Sequence, residues 1–280
     1  MESQAKDIAQ KSKSSFYYAF SLLPANQREA MNTVYAFCRQ TDDIVDEGND
    51  STEVKYQRLR EWREELEMAL RGTSKFNLLN RLSGFIRQFN IPIDPFFELI
   101  KGMEMDLQRN RYPSFEDLRE YCYRVASTVG LMCIEIFGYK NKGTKDYAIN
   151  LGLAMQLTNI LRDIKKDAKL GRIYLPQEDF KKFNYSEKEL FSSIYNDNFK
   201  SLMEYEAERA KKYFEKANRS LDIIDKSSMF PARAMQHIYF KLLQKLEKAE
   251  FDIFTNNITV SKFEKVAIAL GVWAKYSLVY

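Results

Sequence analysis

Gln156-Leu-Thr-Asn159-Ile-Leu-Arg162-Asp163-Ile-Lys-Lys-Asp167 is the stretch on which the fold of this chain turns. On a helix, residues three and four apart share a face, so Gln156, Asn159, Asp163 and Asp167 form one polar stripe. Leu153, Leu157, Ile160, Leu161 and Ile164 spread over the remaining faces. A helix that is apolar nearly all round belongs inside a bundle, and its polar stripe then faces an internal cavity. Two carboxylates one turn apart repel each other, and desolvation raises the cost. Such a pair calls for a compensating cation.

A second stretch repeats the pattern. In Tyr35-Ala-Phe-Cys-Arg39-Gln-Thr-Asp42-Asp43-Ile-Val-Asp46-Glu47, helical spacing puts Tyr35, Arg39, Asp42 and Asp46 on one face, and Val34, Phe37, Cys38, Thr41 and Val45 on another. The chain therefore carries two D-x-x-x-D pairs, each with an arginine within a turn (Arg39, Arg162). Carboxylate oxygens suit hard cations, and Mg²⁺ is commonly held by one or two carboxylates plus substrate phosphates. Two such walls facing each other make a slot for a Mg-diphosphate, with the arginines adding charge-assisted bonds. The bland alternative is a solvated helix face with scattered acids. One pair alone would fit it; two pairs in apolar sequence fit it poorly.

The chain resembles the squalene/phytoene synthases, which join two prenyl diphosphates head to head. The resemblance runs over nearly the whole length. Its carriers are Ser-Ser-Phe-Tyr-Tyr-Ala-Phe ending in Leu-Leu-Pro24, Cys-Arg39-Gln-Thr-Asp42-Asp43-Ile-Val-Asp46, Gly102-Met-Glu-Met-Asp106-Leu and Tyr121-Cys-Tyr-Arg-Val-Ala126-Ser-Thr-Val129-Gly130. The most specific is the run from Gln156 through Asp163 and Asp167 to Gly171-Arg172-Ile-Tyr174-Leu-Pro176. The resemblance implies an all-α fold, a single-domain isoprenoid synthase-type helical bundle over residues 1–280 with a central cavity. It implies Mg²⁺ at Asp42, Asp46, Asp163 and Asp167, with Asp106 and Asn159 as further ligands. Tyr121, Arg39 and Arg162 join the four acids as catalytic residues. Substrate contacts fall to Ser12, Ser14, Ser15, Gln156, Asn159, Arg172 and Tyr239, and to an isoprenoid groove at Ala126, Val129 and Gly130. For the serines a plain helix cap is the alternative, for the small residues close helix packing, and for Tyr239 core packing.

The details around Gly102–Asp106, Met229–Arg233 and the C-terminus look closest to bacterial presqualene diphosphate synthases of hopanoid pathways, with phytoene and dehydrosqualene synthases of the carotenoid branch close behind. The expected substrate is farnesyl diphosphate. A farnesyl diphosphate phosphatase of the same fold and a silent isoprenoid-binding helical protein are the rivals. The family often has an arginine ahead of the last helix, where this chain has Thr255-Asn256-Asn257-Ile-Thr-Val260-Ser261. That basic contact is missing, or is made by Lys262 or Lys265.

Composition is globular, with 45% hydrophobic and 29% charged residues, and the net charge of +4 is spread along the chain. Nucleic acid is therefore not an expected partner. Cys38, Cys122 and Cys133 sit in apolar helical sequence, which suits buried thiols in a reducing cytoplasm. A single histidine, His237, without a Cys-x-x-Cys, argues against zinc. No Gly-x-Gly-x-x-Gly is present, so NADPH is not indicated, although a site of another fold would leave no such trace. The polar first fifteen residues lack the apolar core of a secretory signal. Val266–Ala274 is too short to span a bilayer, and reads as a final core helix or as a contact with the inner membrane surface. Oligomeric state is not readable.

The six prolines fall at helix boundaries. Helices are expected over 27–45, 53–71, 78–89, 95–106, 118–137, 147–167, 187–224 and 231–249. Ser114 is a cap with Asp117 at the capping-box position. Residues 169–176 form a basic loop read as a lid carrying Arg172 to phosphate, with a plain surface loop as the alternative.

Overall fold

A computed structural model describes residues 19–48 and 50–278. Ser12, Ser14 and Ser15 lie outside the described residues. The helices are α1 Ala25–Asp46, α2 Thr52–Leu70, α3 Asn77–Phe89, α4 Asp94–Gln108, α5 Phe115–Cys122, α6 Thr128–Phe137, α7 Gly143–Lys169, α8 Gln177–Lys182, α9 Glu187–Phe191, α10 Asp197–Ser220, α11 Phe230–Lys248 and α12 Lys262–Leu278. No strand occurs among the described residues; the one ladder contact is an isolated parallel bridge between Arg111 and Ile173. The fold is all-α, as the periodicity implies.

The central helix is α7. It packs along α10 and against α6, α11 and the turn linking α5 to α6. Leu153, Leu157, Ile160, Leu161 and Ile164 are all buried, each contributing about 1.5–3 kcal/mol of apolar burial. This is the all-round apolar helix read from the sequence. The α1 helix presses Ala30, Met31, Val34 and Phe37 into the same continuous core. Phe37 stacks on Trp62 of α2 at 5.9 Å, which draws the charge-rich α2 onto the bundle as an outer layer.

The α5 helix begins as read, with the Ser114 hydroxyl and the Asp117 carboxylate capping each other's backbone. The stretch expected as one helix over 118–137 is instead interrupted by a π turn, Tyr123–Ser127. Its extra residue swells the chain toward α7. Gly152 makes room for it, because a Cβ there would lie 2.6 Å from the Ser127 Cα. The expected long helix over 187–224 is also broken. After α9 the chain turns through Ser193 at φ 54, and the Asn196 side chain caps α10. That local capping chemistry outweighs the helical periodicity. The three cysteines are free thiols.

Candidate active site

One cavity of about 520 Å³ runs between α1, α4, the π turn, α6, α7 and α11. Its lining includes Arg39, Asp42, Asp46, Asp106, Tyr121, Ala126, Val129, Gly130, Gln156, Asn159, Arg162, Asp163, Asp167, Arg172 and Tyr239. Every described candidate residue from the sequence therefore reaches one space. The mouth is charged. The depth is apolar, walled by Phe20, Met31, Val34, Cys133, Phe137 and Met235.

Three helices bring acids to the mouth. Asp42 and Asp46 come from α1, Asp163 and Asp167 from α7, and Asp106 from the end of α4. The arginines are already engaged with them. Arg39 pairs with Asp43 at 2.6 Å and Asp42 at 3.3 Å. Arg162 grips Asp163 in a bidentate fork. Arg172 reaches across from the end of α7 to Asp46 on α1, at 2.7 Å.

Backbone geometry aims Arg172. Gly171 takes φ +78, a left-handed conformation that costs a glycine little. The Arg172 amide then donates to the Asp167 carbonyl at 2.9 Å. Ile173 donates to Asn110, and Arg111 donates to the Gly171 carbonyl. The basic loop expected as a lid is thus a strap pinned over the mouth.

Asp106 lies between two phenols. Tyr121 donates to one of its oxygens at 2.8 Å and Tyr174 to the other at 2.9 Å. The rings stack at 5.2 Å, and fully buried Tyr112 packs against both. Burial, followed by the neighbouring Asp106 and Tyr174, holds the Tyr121 phenol well above its usual range, so it stays a neutral donor.

At three of the acids burial and like-charge neighbours outweigh the arginines. Burial and then the repulsion of Asp46 push Asp42 up to about 6. Burial and then Asp163 push Asp167 to about 7. Burial raises Asp106 to about 6 against the pull of Arg172 and the two phenols. Asp106 lines the same cavity as both pairs and adds to the rise of Asp42 and Asp167.

These residues suit a hard cation. All the donors are oxygens, and the buried Asn159 Oδ1 has no hydrogen-bond donor within the protein. A buried carbonyl oxygen normally finds a partner, and a cation supplies one. Among the described residues no three acidic, histidine or cysteine side chains converge tightly enough to hold a metal alone. The acids form opposed walls, the arrangement for a cation shared with phosphate oxygens.

A folded-state carboxyl pKa above the unfolded value means that the folded chain holds the proton more tightly. The resulting stability is complete below about pH 4 and is lost as pH rises through about 7. Asp167→Asn is therefore expected to raise the melting temperature at about pH 8 in chelator. The gain is about 1 kcal/mol after solvent screening, or roughly 2–4 °C. The advantage should vanish near pH 5, where Asp167 is itself protonated. Equal melting of variant and parent at the higher pH would refute the crowding of charge.

A second cavity of about 510 Å³ opens beside the first, and the two share Arg162, Asp163, Lys166 and Tyr239. Its polar lining also includes Lys165, Lys169, Asn256, Asn257 and Lys265. Burial, and then the charge of Arg162, lower the Lys265 pKa. Lys265 lines this cavity together with Arg162, whereas Lys262 is exposed and outside the lining. Sequence reading gave no site role to Tyr174, Lys166, Tyr147 and Phe137, which also line the first cavity. Tyr174 and Lys166 stood inside the quoted motif. Tyr147 and Phe137 carry no local signal beyond that of core residues.

Comparisons with known proteins bear on this arrangement. The squalene/phytoene synthase family model matches residues 9–264. The 15-cis-phytoene synthase of Synechococcus elongatus is 34% identical over 275 residues, covering 94% of this chain and 89% of that protein. A crystal structure of a dehydrosqualene synthase in complex with ligand superposes with a TM-score of 0.89 at 31% identity, covering 100% of this chain and 97% of that one. The structure of squalene synthase HpnC from Alicyclobacillus acidocaldarius gives a TM-score of 0.80 at 25% identity, covering 88% and 94%.

Proposed function

The chain belongs to the squalene/phytoene synthase family and is a prenyltransferase, and we propose that it joins two farnesyl diphosphates head to head to form presqualene diphosphate. The observation that carries this reading is the single cavity with acids and arginines at its mouth and hydrocarbon walls in its depth. A silent lipid-binding scaffold has no use for crowded carboxylates that destabilise it.

Asp42, Asp46, Asp163 and Asp167 would hold Mg²⁺, with Asp106 and Asn159 supporting. Bound there with a diphosphate, the metal supplies Lewis acidity and a template for the leaving group. Arg39, Arg162 and Arg172 each exchange a carboxylate partner for diphosphate oxygens. The allylic C–O bond then breaks and diphosphate leaves. The apolar depth of the cavity keeps water from trapping the resulting cation as an alcohol. The double bond of the second substrate attacks. Closing the cyclopropane ring sheds one proton, which would pass through the Tyr121 hydroxyl to Asp106.

A second reading carries the cyclopropyl diphosphate onward to a hydrocarbon. Lys265 favours it, because a cation beside Arg162 can hold the remaining diphosphate as that bond breaks. The phytoene synthase and dehydrosqualene synthase names among the relatives agree with it. The test is a short incubation with farnesyl diphosphate and Mg²⁺, gentle extraction, and mass analysis. A cyclopropylcarbinyl diphosphate is expected. A phosphate-free hydrocarbon of squalene length selects the second reading. Farnesol alone refutes both, and condensation of geranylgeranyl diphosphate only refutes the substrate assignment.

A further inference from the structure

The last helix, α12, is apolar on two faces. Its inner face buries Ala269, Val272 and Tyr276 against α11, where Arg233 donates to the Tyr276 hydroxyl at 2.6 Å. Its outer face has no such cover. Phe263 is 82% exposed, Leu270 48% and Val266 37%, and Ala267 and Gly271 beside them are exposed too. Helical spacing puts Phe263, Val266, Ala267, Leu270, Gly271 and Ala274 on one stripe. It contains no charged residue.

The charge lies along the edges of that stripe, and it is basic. Lys262 and Lys275 flank it and are exposed. The one acid nearby, Glu264, is already paired with Lys245 at 2.7 Å. An exposed apolar stripe bordered by lysines is the pattern of a helix lying in the headgroup region of a bilayer, and lysines near such a surface are attracted by anionic lipid. No helix among the described residues is long and apolar enough to cross a membrane, so the contact is one of lying on the surface.

We infer that the outer face of α12 docks this protein on an anionic lipid bilayer, with Phe263 and Leu270 entering the acyl boundary and Lys262 and Lys275 meeting the headgroups. A second copy of the chain is the weaker occupant. Two such faces brought together set the same lysines against each other, with no free acid on the face to balance them. Docking stands apart from the reaction proposed above, because it needs no turnover to be measured.

The test is co-sedimentation of the full chain with phosphatidylcholine vesicles, with and without phosphatidylglycerol. Pelleting with the anionic vesicles, weakened by salt, is expected. Phe263→Ser with Leu270→Ser should lower partitioning by about tenfold or more, with melting temperature and turnover of detergent-dispersed substrate unchanged. Lys262→Gln with Lys275→Gln should remove the preference for phosphatidylglycerol while leaving the apolar contact. The inference is overturned if the protein stays in the supernatant with anionic vesicles, or if the serine variant pellets as the parent does. A concentration-dependent dimer that the serine variant abolishes would overturn it in favour of a subunit interface.

Discussion

Asp42→Asn and Asp163→Asn are each expected to lower turnover by about 10²–10³-fold, the usual cost of removing one group aimed at developing charge. The two acids sit on different helices, α1 and α7, and line the same mouth. Losing either therefore opens one wall of the slot. Neighbouring Asp43 makes the internal control. It pairs with Arg39 at 2.6 Å but is not part of the cavity lining. Asp43→Asn should cost only what a misplaced Arg39 costs, about tenfold or less by comparison with a direct contact. The amides keep the size of the acids, so all three proteins should stay folded, as circular dichroism would show. Turnover at varied Mg²⁺ separates the readings. If Asp42→Asn or Asp163→Asn keeps parental turnover and the parental Mg²⁺ dependence, the opposed-wall site is wrong. If Asp43→Asn is as damaging as the other two, the face of α1 that carries Asp43 also meets the substrate.

How much of this could be read beforehand follows from the range of each interaction. The stripe on α7 and its partner on α1 are local, because steps of three and four on a helix fix which residues share a face. Each stripe puts its own two acids on one helix face; that the two faces meet across one cavity is tertiary, and for that and for the all-α fold of the whole chain the family resemblance was needed. The capping box at Ser114 and Asp117 is local too. The π turn at Tyr123–Ser127 is not. It exists where the backbone of one helix meets Gly152 on another, a contact with no trace in the periodicity of either. The Asp106 environment is equally non-local. Tyr121 and Tyr174 reach it from 15 and 68 residues away, and nothing in Gly102-Met-Glu-Met-Asp106 marks it as an acid held by two phenols. The sequence offers Lys262 and Lys265 alike for the missing basic contact, and only the packing of the last helix separates them, with Lys265 in the cavity lining and Lys262 outside it.

Gly152 is where packing and site meet, and its substitution should have a large and informative effect. Gly152→Ala adds one Cβ that would lie 2.6 Å from the Ser127 Cα, 2.7 Å from its nitrogen and 2.8 Å from the Ala126 carbonyl carbon. All three are backbone atoms, so no side chain can swing aside. The strain has to move the π turn away from α7. Overpacking of this kind costs about 1–3 kcal/mol and occasionally more. Alanine's better helix propensity returns up to about 1 kcal/mol. The net loss is about 1–2 kcal/mol, which lowers the melting temperature by roughly 2–8 °C. The same change at Gly84 on α3 meets nothing within 4 Å, and Gly84→Ala should raise stability by about 0.5–1 kcal/mol. Opposite signs for one chemical change isolate packing from propensity. The displacement also reaches the site. Ser127 donates to the Ile149 carbonyl at 2.8 Å, and adjoining Ala126 lines the cavity. Driving the turn outward breaks that bond and carries Ala126 with it. Turnover of Gly152→Ala, measured well below its melting temperature, should therefore fall although no acid or arginine has been touched. Melting curves of the two alanine variants, followed by kinetics on each, decide the matter. A Gly152→Ala protein that melts with the parent would show that the α7 contact at the π turn is looser than 2.6 Å implies, and the account of the cavity wall would fall with it.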